Sequence, residues 1–495
     1  EYLVSPKETE LEKHIHREDI EYLIEVFHDA KEYGSILEVK KIDFDALEKR
    51  IEGIRNNVPE DLFELQYREV ILEKFSPLIQ QAKIMSQKYN ICCTNPPYLG
   101  RKSMNKNLST FLDKYYSNSK FDLFSAFIER GFKFTNNYGY NAIVTSQSWM
   151  FLSSYQKLRK EIINSKHVSS LVHIGNNVWG NTFGTVASIW KNYKNDNYNA
   201  KYINIEVNNI NSLGEPIDFK RNYSKLKEVK IKQFLEIEGY PFAYWISNNT
   251  RKIFSTQKKL KDIAEPKQGM ATTNNDLFLK LWFEVDPNKI GYGFDSQESA
   301  YKSQKKWFPY NKGGKHRKWY GNNEYVVNFE NNGKTICDYI DKYGRVGSSG
   351  RVINRQYYFK EGITWSDISG TTFAARKTEK GFIFDIKGSS CFPSLNMINF
   401  ILGLLNSKLL PMFIEILNPS VTTQVGDLKK IPILNSRHKS EIIDLLVSKC
   451  IDISKYDWDA FETSWDFKNH PLITHKENST SIEQAFYNWA SYAEN

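Results

Sequence analysis

Cysteine is scarce in this 495-residue sequence, which has only five, scattered along the chain: Cys92, Cys93, Cys337, Cys391 and Cys450. An odd number without metal-ligand spacing argues against a disulfide framework and a thiolate metal centre, and it is typical of a reducing cytoplasm. Long apolar runs are missing too. None approaches the roughly 20 residues of a membrane span, and no signal-peptide pattern is present. We therefore expect a cytoplasmic location, no bound metal and no membrane partner.

Aromatic residues, in contrast, are abundant: 29 Tyr, 31 Phe and 11 Trp make up 14% of the chain. Together with a hydrophobic content of 40%, they suffice for two or three domains with substantial cores. The formal net charge of +9 is a modest excess for this length. It indicates a polyanionic partner only where the cations are concentrated on one part of the chain.

The most informative stretch is residues 91–98, which read Ile-Cys-Cys-Thr-Asn-Pro-Pro-Tyr. A strand predicted from Tyr89 to Thr94 runs into two prolines, which fix φ near −65° and cannot donate backbone hydrogen bonds. Asn95 precedes a proline and is pushed out of the helical region. The strand therefore ends in a stiff elbow at its carboxyl end, where open α/β sheets bind ligands.

This elbow offers what a planar amino group on a flat ring needs. The side-chain oxygen of Asn95 and the carbonyl oxygen of Pro96 can accept both amino hydrogens, and Tyr98 presents a face for stacking. An aromatic amine is a poor nucleophile because its lone pair is delocalised into the ring. Holding both N–H bonds draws the nitrogen toward tetrahedral geometry and frees that lone pair. The alternative is an ordinary proline-rich turn, since short motifs also arise by chance.

Strands and helices alternate around the elbow. Residues 1–88 are predicted to be helical and to lead into residues 89–195. Further strands predicted at residues 139–145, 169–174 and 183–192 favour an open, Rossmann-like α/β sheet there. Residues 196–259 are polar and are predicted to link the domains. Short strand-like runs predict a mixed α+β domain over residues 260–435, followed by a helical segment over residues 436–495.

Three stretches carry a family resemblance, namely Asn95–Tyr98, Phe121–Phe124 (Phe-Asp-Leu-Phe) and Gly139–Trp149. In this order they resemble the central and later motifs of the gamma-type DNA adenine-N6 methyltransferases. Stretches of the second half are similar to one family in particular, the adenine methyltransferases of BREX-type phage-exclusion systems (PglX type); these are residues 269–276, 307–314, 318–322 and 457–467. The resemblance covers nearly the whole chain.

The resemblance implies a reaction in which S-adenosylmethionine is the methyl donor and an adenine of double-stranded DNA is the acceptor. It makes Asn95, Pro96, Pro97 and Tyr98 the catalytic motif. Because the duplex hides its bases, the adenine must be flipped out and stacked in a pocket. Phe183 is predicted to be the second stacking face, opposite Tyr98. The alternative for Phe183 is a core position in a strand.

The family pattern also implies cofactor contacts for Asp122 and Phe124, because the matching segment lines the methionine side of the cofactor in this enzyme class. Asp122 stands directly before an apolar helical run, however, and aspartate is a favoured N-cap residue at such a position. A plain N-cap is therefore the alternative for Asp122.

One family motif is missing. A glycine-rich cofactor loop is expected well before Asn95, yet residues 1–94 contain only the isolated Gly34 and Gly53. The stretch around Asp29 is the remaining candidate for the cofactor's adenine side. We therefore expect the chain, which starts at Glu1, to be an internal or carboxyl-side piece of a longer enzyme. Such a piece would bind the cofactor poorly and would be inactive by itself.

Positive charge is concentrated in residues 299–323, which contain seven cations and no acid. Aromatic residues and glycines are interleaved with these cations, a combination that suits contacts with DNA phosphates. The candidate DNA-binding residues are Lys305, Lys306, Lys312, Lys315, Arg317 and Lys318. The alternative is a solvated basic loop that packs through its aromatic residues.

The sequence thus predicts a site-specific DNA adenine-N6 methyltransferase of a phage-defence system related to restriction-modification. Its expected partners are double-stranded DNA and other defence proteins. Two alternatives stay open. One is methylation of a protein glutamine amide, for which release-factor methyltransferases use the same motif, although those enzymes are small and would not need the basic second half. The other is a catalytically incomplete DNA-binding piece of a defence complex.

Overall fold

The computed structural model describes residues 3, 10–175, 178, 183–205, 211, 226–343, 351–366, 373–419, 423–434 and 440–494. The chain folds into two compact units, Glu1–Trp245 (unit 1) and Ile246–Asn495 (unit 2).

Unit 1 places eight helices and six strands among its described residues. The helices are α1 (Glu10–Phe27), α2 (Ala30–Tyr33), α3 (Phe44–Asn56), α4 (Leu62–Val70), α5 (Ser76–Ser86), α6 (Lys106–Tyr115), α7 (Leu123–Phe134) and α8 (Gln156–Ser165). The strands are β1 (Tyr89–Thr94), β2 (Thr135–Ser146), β3 (His167–Gly175), β4 (Thr185–Lys191), β5 (Asn199–Asn204) and β6 (Lys227–Lys230). The alternation of helices and strands confirms the predicted α/β class, and β1 has the predicted bounds.

The six strands form one sheet in the order β1-β2-β4-β3-β5-β6. Strands β1 and β2 are parallel, as are β3 and β5, whereas the other neighbouring pairs are antiparallel. Helix α7 packs on β2 because Phe124, Ile128 and Phe132 repeat at helical spacing on its buried face. Because β1 and β2 are parallel, their carboxyl ends lie at the same edge of the sheet, and the elbow follows β1 at that edge.

Part of the segment predicted as a linker, residues 196–259, belongs to the sheet of unit 1. Its residues 199–204 form β5, which pairs with β3, and residues 227–230 form β6. Ala200 and Tyr202 alternate with exposed residues and are at most 1% exposed. This period of two anchors β5 in the core of unit 1, although the polar residues around it resemble a linker.

Strand β1 has an uncovered edge and an uncovered face. Among the described residues it pairs only with β2 and stands at the end of the sheet. The side chain of Ile91 is 65% exposed, and Cys93 is exposed as well. An apolar edge strand of this kind is a ready template for another strand. The strand is therefore not the fully buried core strand that its apolar sequence suggests.

Unit 2 is a mixed α+β unit. Its helices are α9 (Asn248–Thr256), α10 (Asn275–Phe278), α11 (Gln297–Lys302), α12 (Glu330–Tyr343), α13 (Ile398–Asn406), α14 (Leu409–Leu417), α15 (Val425–Leu428), α16 (Ser440–Asp459), α17 (Pro471–Thr474) and α18 (Ile482–Glu494). Its strands are β7 (Leu279–Leu281), β8 (Trp307–Asn311), β9 (Tyr325–Asn328), β10 (Gly362–Trp365), β11 (Ala375–Thr378), β12 (Ile383–Phe384) and β13 (Ser390–Cys391).

The strands of unit 2 form two small sheets, ordered β12-β8-β9-β7 and β11-β10-β13. A core of aromatic residues lies against the first sheet and includes Phe308, Tyr310 and Phe359. All five residues of β8 are buried. Most aromatic residues of the basic stretch therefore belong to the interior of unit 2, whereas Tyr301 is 54% exposed.

Within the described ranges, no single helix is long and apolar enough to cross a membrane. One bent pair, Leu395–Asn406 with Leu409–Leu417, reaches the necessary length and composition only when both parts are taken together, and the two are bent by 73°. Ile401, Leu402 and Leu410 in this pair are 0% exposed within unit 2. The apolar character of the pair is thus accounted for by the core that it fills.

Candidate active site

The elbow at the end of β1 presents one amide and one ring. Asn95 is exposed, Pro96 is buried and Tyr98 is half-buried. The Tyr98 hydroxyl donates a hydrogen bond to Asn95 Oδ1, with 3.3 Å between the oxygens. A carbonyl oxygen has two lone pairs, so Asn95 Oδ1 keeps one for a further donor while the bond from Tyr98 orients it. The rigid rings of Pro96, which is buried, and Pro97, which is exposed, fix the backbone between these two side chains.

Asp122 holds the chain that follows the elbow. Its Oδ1 accepts hydrogen bonds from the Leu99 amide at 3.1 Å and from the Phe124 amide at 3.3 Å. A backbone bond from Leu123 N to Leu99 O, 3.0 Å long, runs beside them. Burial raises the pKa of the Asp122 carboxyl, whereas the hydrogen bonds from these amides lower it. The N-cap role of Asp122 is confirmed; its contact with a cofactor stays a prediction.

Two further rings contact Tyr98. The centroid of Phe124 lies 5.9 Å from that of Tyr98, and the centroid of Phe183 lies 5.2 Å from it at an interplanar angle of 64°. Phe124 is 2% exposed and belongs to the core, whereas Phe183 is 36% exposed and precedes β4. The structure therefore brings Tyr98 and Phe183 together. It places Phe124 beneath them, and the cofactor contact predicted for Phe124 also stays a prediction.

The space between Tyr98 and Phe183 is closed. Carbon atoms in contact lie about 3.5 to 4.0 Å apart, so a flat base between two parallel rings needs about 7 Å between those rings. The observed 5.2 Å and the tilt leave no room for one. A base can enter only after Phe183 moves away from Tyr98.

A polar network behind Phe183 fixes the start of β4. The amide of Gln147 donates to Gly184 O at 2.8 Å. A Cβ at Gly184 would come within 2.2 Å of the Gln147 side chain, so only glycine fits there. Gln147 Oε1 in turn contacts His173 Nε2, and the Tyr244 hydroxyl lies 3.3 Å from His173 Nδ1. Because the Gln147 oxygen can only accept, Nε2 carries the proton and Nδ1 accepts from Tyr244.

Sequence reasoning missed this network. Its members are far apart in the chain: Gln147 lies within the stretch Gly139–Trp149 and Gly184 adjoins Phe183, but nothing in the sequence connects either of them with His173 or Tyr244. Burial lowers the pKa of His173 to about 4, so the imidazole is neutral at neutral pH. The neutral ring can donate to Gln147 and accept from Tyr244 at once, which a protonated ring cannot do.

The buried His173 is expected to make unit 1 less stable in mild acid. The unfolded chain binds a proton near the ordinary histidine pKa of 6.5, whereas the folded chain does so only near 4. Folding stability therefore falls as the pH drops from about 6.5 toward about 4, by on the order of 2 to 3 kcal/mol. Denaturant unfolding of the chain at a series of pH values measures this slope.

The variant His173→Gln removes the titrating group and should reduce that pH dependence, although the variant is less stable at pH 7. The exposed His28, whose side chain is 78% accessible, supplies the matched control His28→Gln. Equal slopes in wild type and His173→Gln would contradict the assignment of the acid sensitivity to His173.

Asp29, the candidate for the cofactor's adenine side, lies apart from the elbow residues in the helical region. It sits between α1 and α2 and lines a cavity of about 1000 Å³. Tyr33 and Phe111 also line this cavity and stack on each other with centroids 4.2 Å apart. The described residues show no group of three or more metal-ligating side chains. A role for Asp29 in cofactor binding stays a prediction.

The cations of the basic stretch mostly have partners within unit 2. Lys312 pairs with Asp385 at 3.2 Å, and Arg317 pairs with Asp457 at 2.8 Å. Other contacts join Lys305 Nζ to the Asn288 carbonyl, Lys306 to the ring of Trp307 and, at 3.1 Å, Lys318 Nζ to the Asn406 carbonyl. Lys315 lies near Glu324. Burial raises the pKa of the Glu324 carboxyl, and the positive charge of Lys315 partly offsets this rise. DNA contacts for these six residues stay a prediction, and their charges also serve the fold.

Comparison with known proteins agrees with the resemblance seen in the motifs. Residues 12–179 match the family described as Eco57I restriction-modification methylase. The chain is 34% identical over 476 residues to the adenine-specific methyltransferase BrxX of Escherichia coli O9:H4 (strain HS), and 34% identical over 490 residues to the adenine-specific methyltransferase PglX of Lacticaseibacillus casei (strain Zhang). Each match covers 94% of this chain.

The chain spans 37% of the length of BrxX and 40% of the length of PglX. Among solved structures, the Type IIL restriction-modification enzyme MmeI in complex with DNA matches 81% of this chain and 53% of its own, with 13% identity and a TM-score of 0.46. The sequence relatives thus cover almost all of this chain and extend well beyond it.

Proposed function

We propose that this chain, a relative of the adenine-specific methyltransferases BrxX and PglX, forms the base-binding part of a site-specific DNA adenine-N6 methyltransferase. The proposal depends chiefly on one observation, the placement of Asn95, Tyr98 and Phe183 together beyond the carboxyl end of β1. An exposed amide oxygen beside an accessible aromatic pair suits a flat ring that carries an amino group. The expected source of that ring is an adenine flipped out of duplex DNA.

The elbow residues act on the amino group. Asn95 Oδ1 and the Pro96 carbonyl accept its two hydrogens, which draws the nitrogen toward tetrahedral geometry and localises its lone pair. S-adenosylmethionine supplies an electrophilic methyl group in reactions of this class. Formation of the C–N bond would break the bond between the methyl carbon and the sulfur of the donor, which leaves as a neutral thioether, and the positively charged nitrogen would then release a proton to water. Fixed acceptors favour this transfer by positioning and by stabilising the developing charge.

The aromatic pair holds the ring. Phe183 must leave its contact with Tyr98 to admit the base, and it can then cover the opposite face. Its 36% exposure and its position before β4 allow this movement, whereas Phe124 is locked in the core. Stacking of a base on an aromatic side chain is worth about 1–3 kcal/mol. The self-contact of the two rings is therefore replaced by two contacts with the base.

We infer that the described residues of unit 1 do not by themselves form a complete cofactor site. The Asp122 carboxylate already receives backbone hydrogen bonds, Phe124 is 2% exposed, and residues 1–94 have no glycine-rich loop. The uncovered edge of β1 suits a further strand, and Asn95 directly follows that strand. We propose that a segment of the whole protein outside this chain pairs with β1 and brings the glycine-rich loop to the elbow.

The whole protein is expected to bind S-adenosylmethionine and to transfer labelled methyl groups to adenine N6 in duplex DNA. This chain alone should bind the cofactor at least about a hundredfold more weakly, because several hydrogen bonds of about 1 kcal/mol each are missing. Calorimetry on both polypeptides measures the affinities, and sequencing of modified bases in DNA from cells without other adenine methylation detects the product.

Each alternative function has a distinct outcome. Absence of new N6-methyladenine together with labelled glutamine in a protein substrate would identify a glutamine methyltransferase. Absence of any methyl transfer with duplex binding intact would identify a DNA-binding component. Cofactor affinity of this chain equal to that of the whole protein would contradict the proposed segment at β1. For the whole protein, we propose that the methylated adenine marks host DNA in a phage-defence system and that other proteins of that system are partners.

A further inference from the structure

Unit 2 contains a cavity of about 630 Å³ outside the basic stretch. Four separate parts of the chain contribute to it. Its lining residues include Lys267, Gln268, Asn354, Lys387, Gln424 and Lys429. Side chains with N–H donors dominate this set, and no carboxylate lines the cavity among the described residues.

Two of its three lysines, Lys387 and Lys429, form no ion pair among the described residues, and Lys429 interacts with the Glu265 carboxylate only at longer range. Lys267 Nζ pairs with Glu265 at 3.0 Å, and the same carboxylate also accepts a hydrogen bond from the Tyr357 hydroxyl. Lys387 is exposed and Lys429 is half-buried. The described residues provide neither ammonium group with an ion pair. The cavity is therefore a site of net positive charge with an open mouth, which attracts an anion.

The walls of the cavity are held by backbone hydrogen bonds. Lys267 and Ser390 exchange two of them, 2.8 and 3.0 Å long. Asn354 Nδ2 donates to Gln268 O at 2.8 Å, which ties a second wall to the first. The amide of Lys429 donates to Val425 O at 3.1 Å. A ligand therefore meets lysines whose backbone is already fixed, which lowers the entropic cost of binding.

The basic stretch differs from this cavity. Lys312 and Arg317 there are paired with acids, and Lys318 is bonded to a carbonyl, so a DNA phosphate would have to compete with those partners. Among the described residues, Lys387 has no such partner, and Lys429 has only its longer-range interaction with Glu265. A stretch of sequence that is rich in cations is therefore not necessarily the part of the folded unit where cations are free to bind a ligand.

We propose that the cavity lined by Lys267, Lys387 and Lys429 binds a backbone phosphate of the DNA substrate. This inference rests on the proposed function, because the duplex is the anion that it names. Ammonium groups bind phosphate oxygens as point charges without reading the bases, so this contact positions the duplex and carries no sequence information. The amides of Gln268 and Gln424 lie in the same lining and can donate to phosphate or sugar oxygens.

The test is the double variant Lys387→Ala/Lys429→Ala in the whole protein. We expect its affinity for duplex DNA to fall about tenfold to a hundredfold, by the same factor for every duplex sequence. The slope of log affinity against log salt concentration should shrink by about 1, because one phosphate contact is lost and about one counterion fewer is released on binding. The methylation rate at saturating DNA should stay within about twofold of wild type.

A matched control removes two exposed lysines of unit 2 that lie outside the cavity and form no ion pair among the described residues, Lys252 and Lys449. The variant Lys252→Ala/Lys449→Ala loses the same net charge and should change the salt slope by much less. Melting temperatures of both variants equal to wild type show that folding is intact. If the cavity variant binds DNA like this control while the protein still methylates DNA, the phosphate site is overturned. If the wild-type protein fails to bind duplex DNA, the proposed function is overturned instead.

Discussion

Asn95→Ala in the whole protein is expected to lower the rate of adenine methylation about a hundred- to a thousandfold while the affinity for duplex DNA is unchanged. The substitution removes the acceptor that holds one amino hydrogen, and loss of one fixed hydrogen-bond partner of a reacting group has an effect of this size. Asn95 is exposed, and its oxygen accepts only from the Tyr98 hydroxyl among the described residues. Folding should therefore tolerate the change. Single-turnover methylation and duplex binding are the two measurements.

Two further variants sharpen this prediction. Asn95→Asp keeps an acceptor oxygen at the same position and should retain more activity than Asn95→Ala. Asn90 is an exposed residue of β1, the strand that Asn95 directly follows. Among the described residues its side chain bonds only to Asn136, at 3.0 Å. Asn90→Ala is thus a matched control that should methylate like wild type. Modified adenines at normal levels in Asn95→Ala would rule out the proposed role of the elbow.

The second large effect is expected from Phe183→Ala, which should lower methylation efficiency about tenfold to a hundredfold. The loss corresponds to one stacking contact of about 1–3 kcal/mol with the flipped base. Because Phe183 is 36% exposed, the free energy of unfolding should change by less than about 1 kcal/mol. Methylation kinetics and denaturant unfolding separate the two effects.

Phe124, the other ring that contacts Tyr98, serves as the control, because its loss should affect the stability of the fold strongly. Phe124 also contacts Tyr98 but is 2% exposed, so Phe124→Ala should lower the free energy of unfolding by about 3–5 kcal/mol. Phe183→Tyr keeps an aromatic ring and should restore most of the activity. Equal activity of Phe183→Ala and wild type would show that the ring does not cover the base.

Local chemistry made several features predictable. The bounds of β1 follow from an apolar run that ends before two prolines, and the N-cap position of Asp122 follows from an aspartate before an apolar helical repeat. Both depend on residues next to each other in the chain.

Contacts between distant residues were harder to predict. The strand β5 lies in a polar segment, and only its pairing with β3 shows that it belongs to the sheet. The apolar sequence of β1 suggests a buried strand, yet Ile91 is 65% exposed. Burial depends on which elements cover a strand, and this information is spread over the whole chain rather than held in the strand itself.

The sequence by itself determined the elbow and the α/β class, because backbone restriction by proline and the periodicity of apolar residues act over a few positions; the amino-group chemistry of the elbow is a prediction. Only the tertiary structure decided that Phe183 meets Tyr98, that Gln147 and His173 contact each other beside the start of β4, and that Lys387, unlike Lys312 and Arg317, has no ion-pair partner among the described residues. Each of these depends on which distant side chains share a space. A charged residue acts on a ligand only when the fold gives it no closer partner.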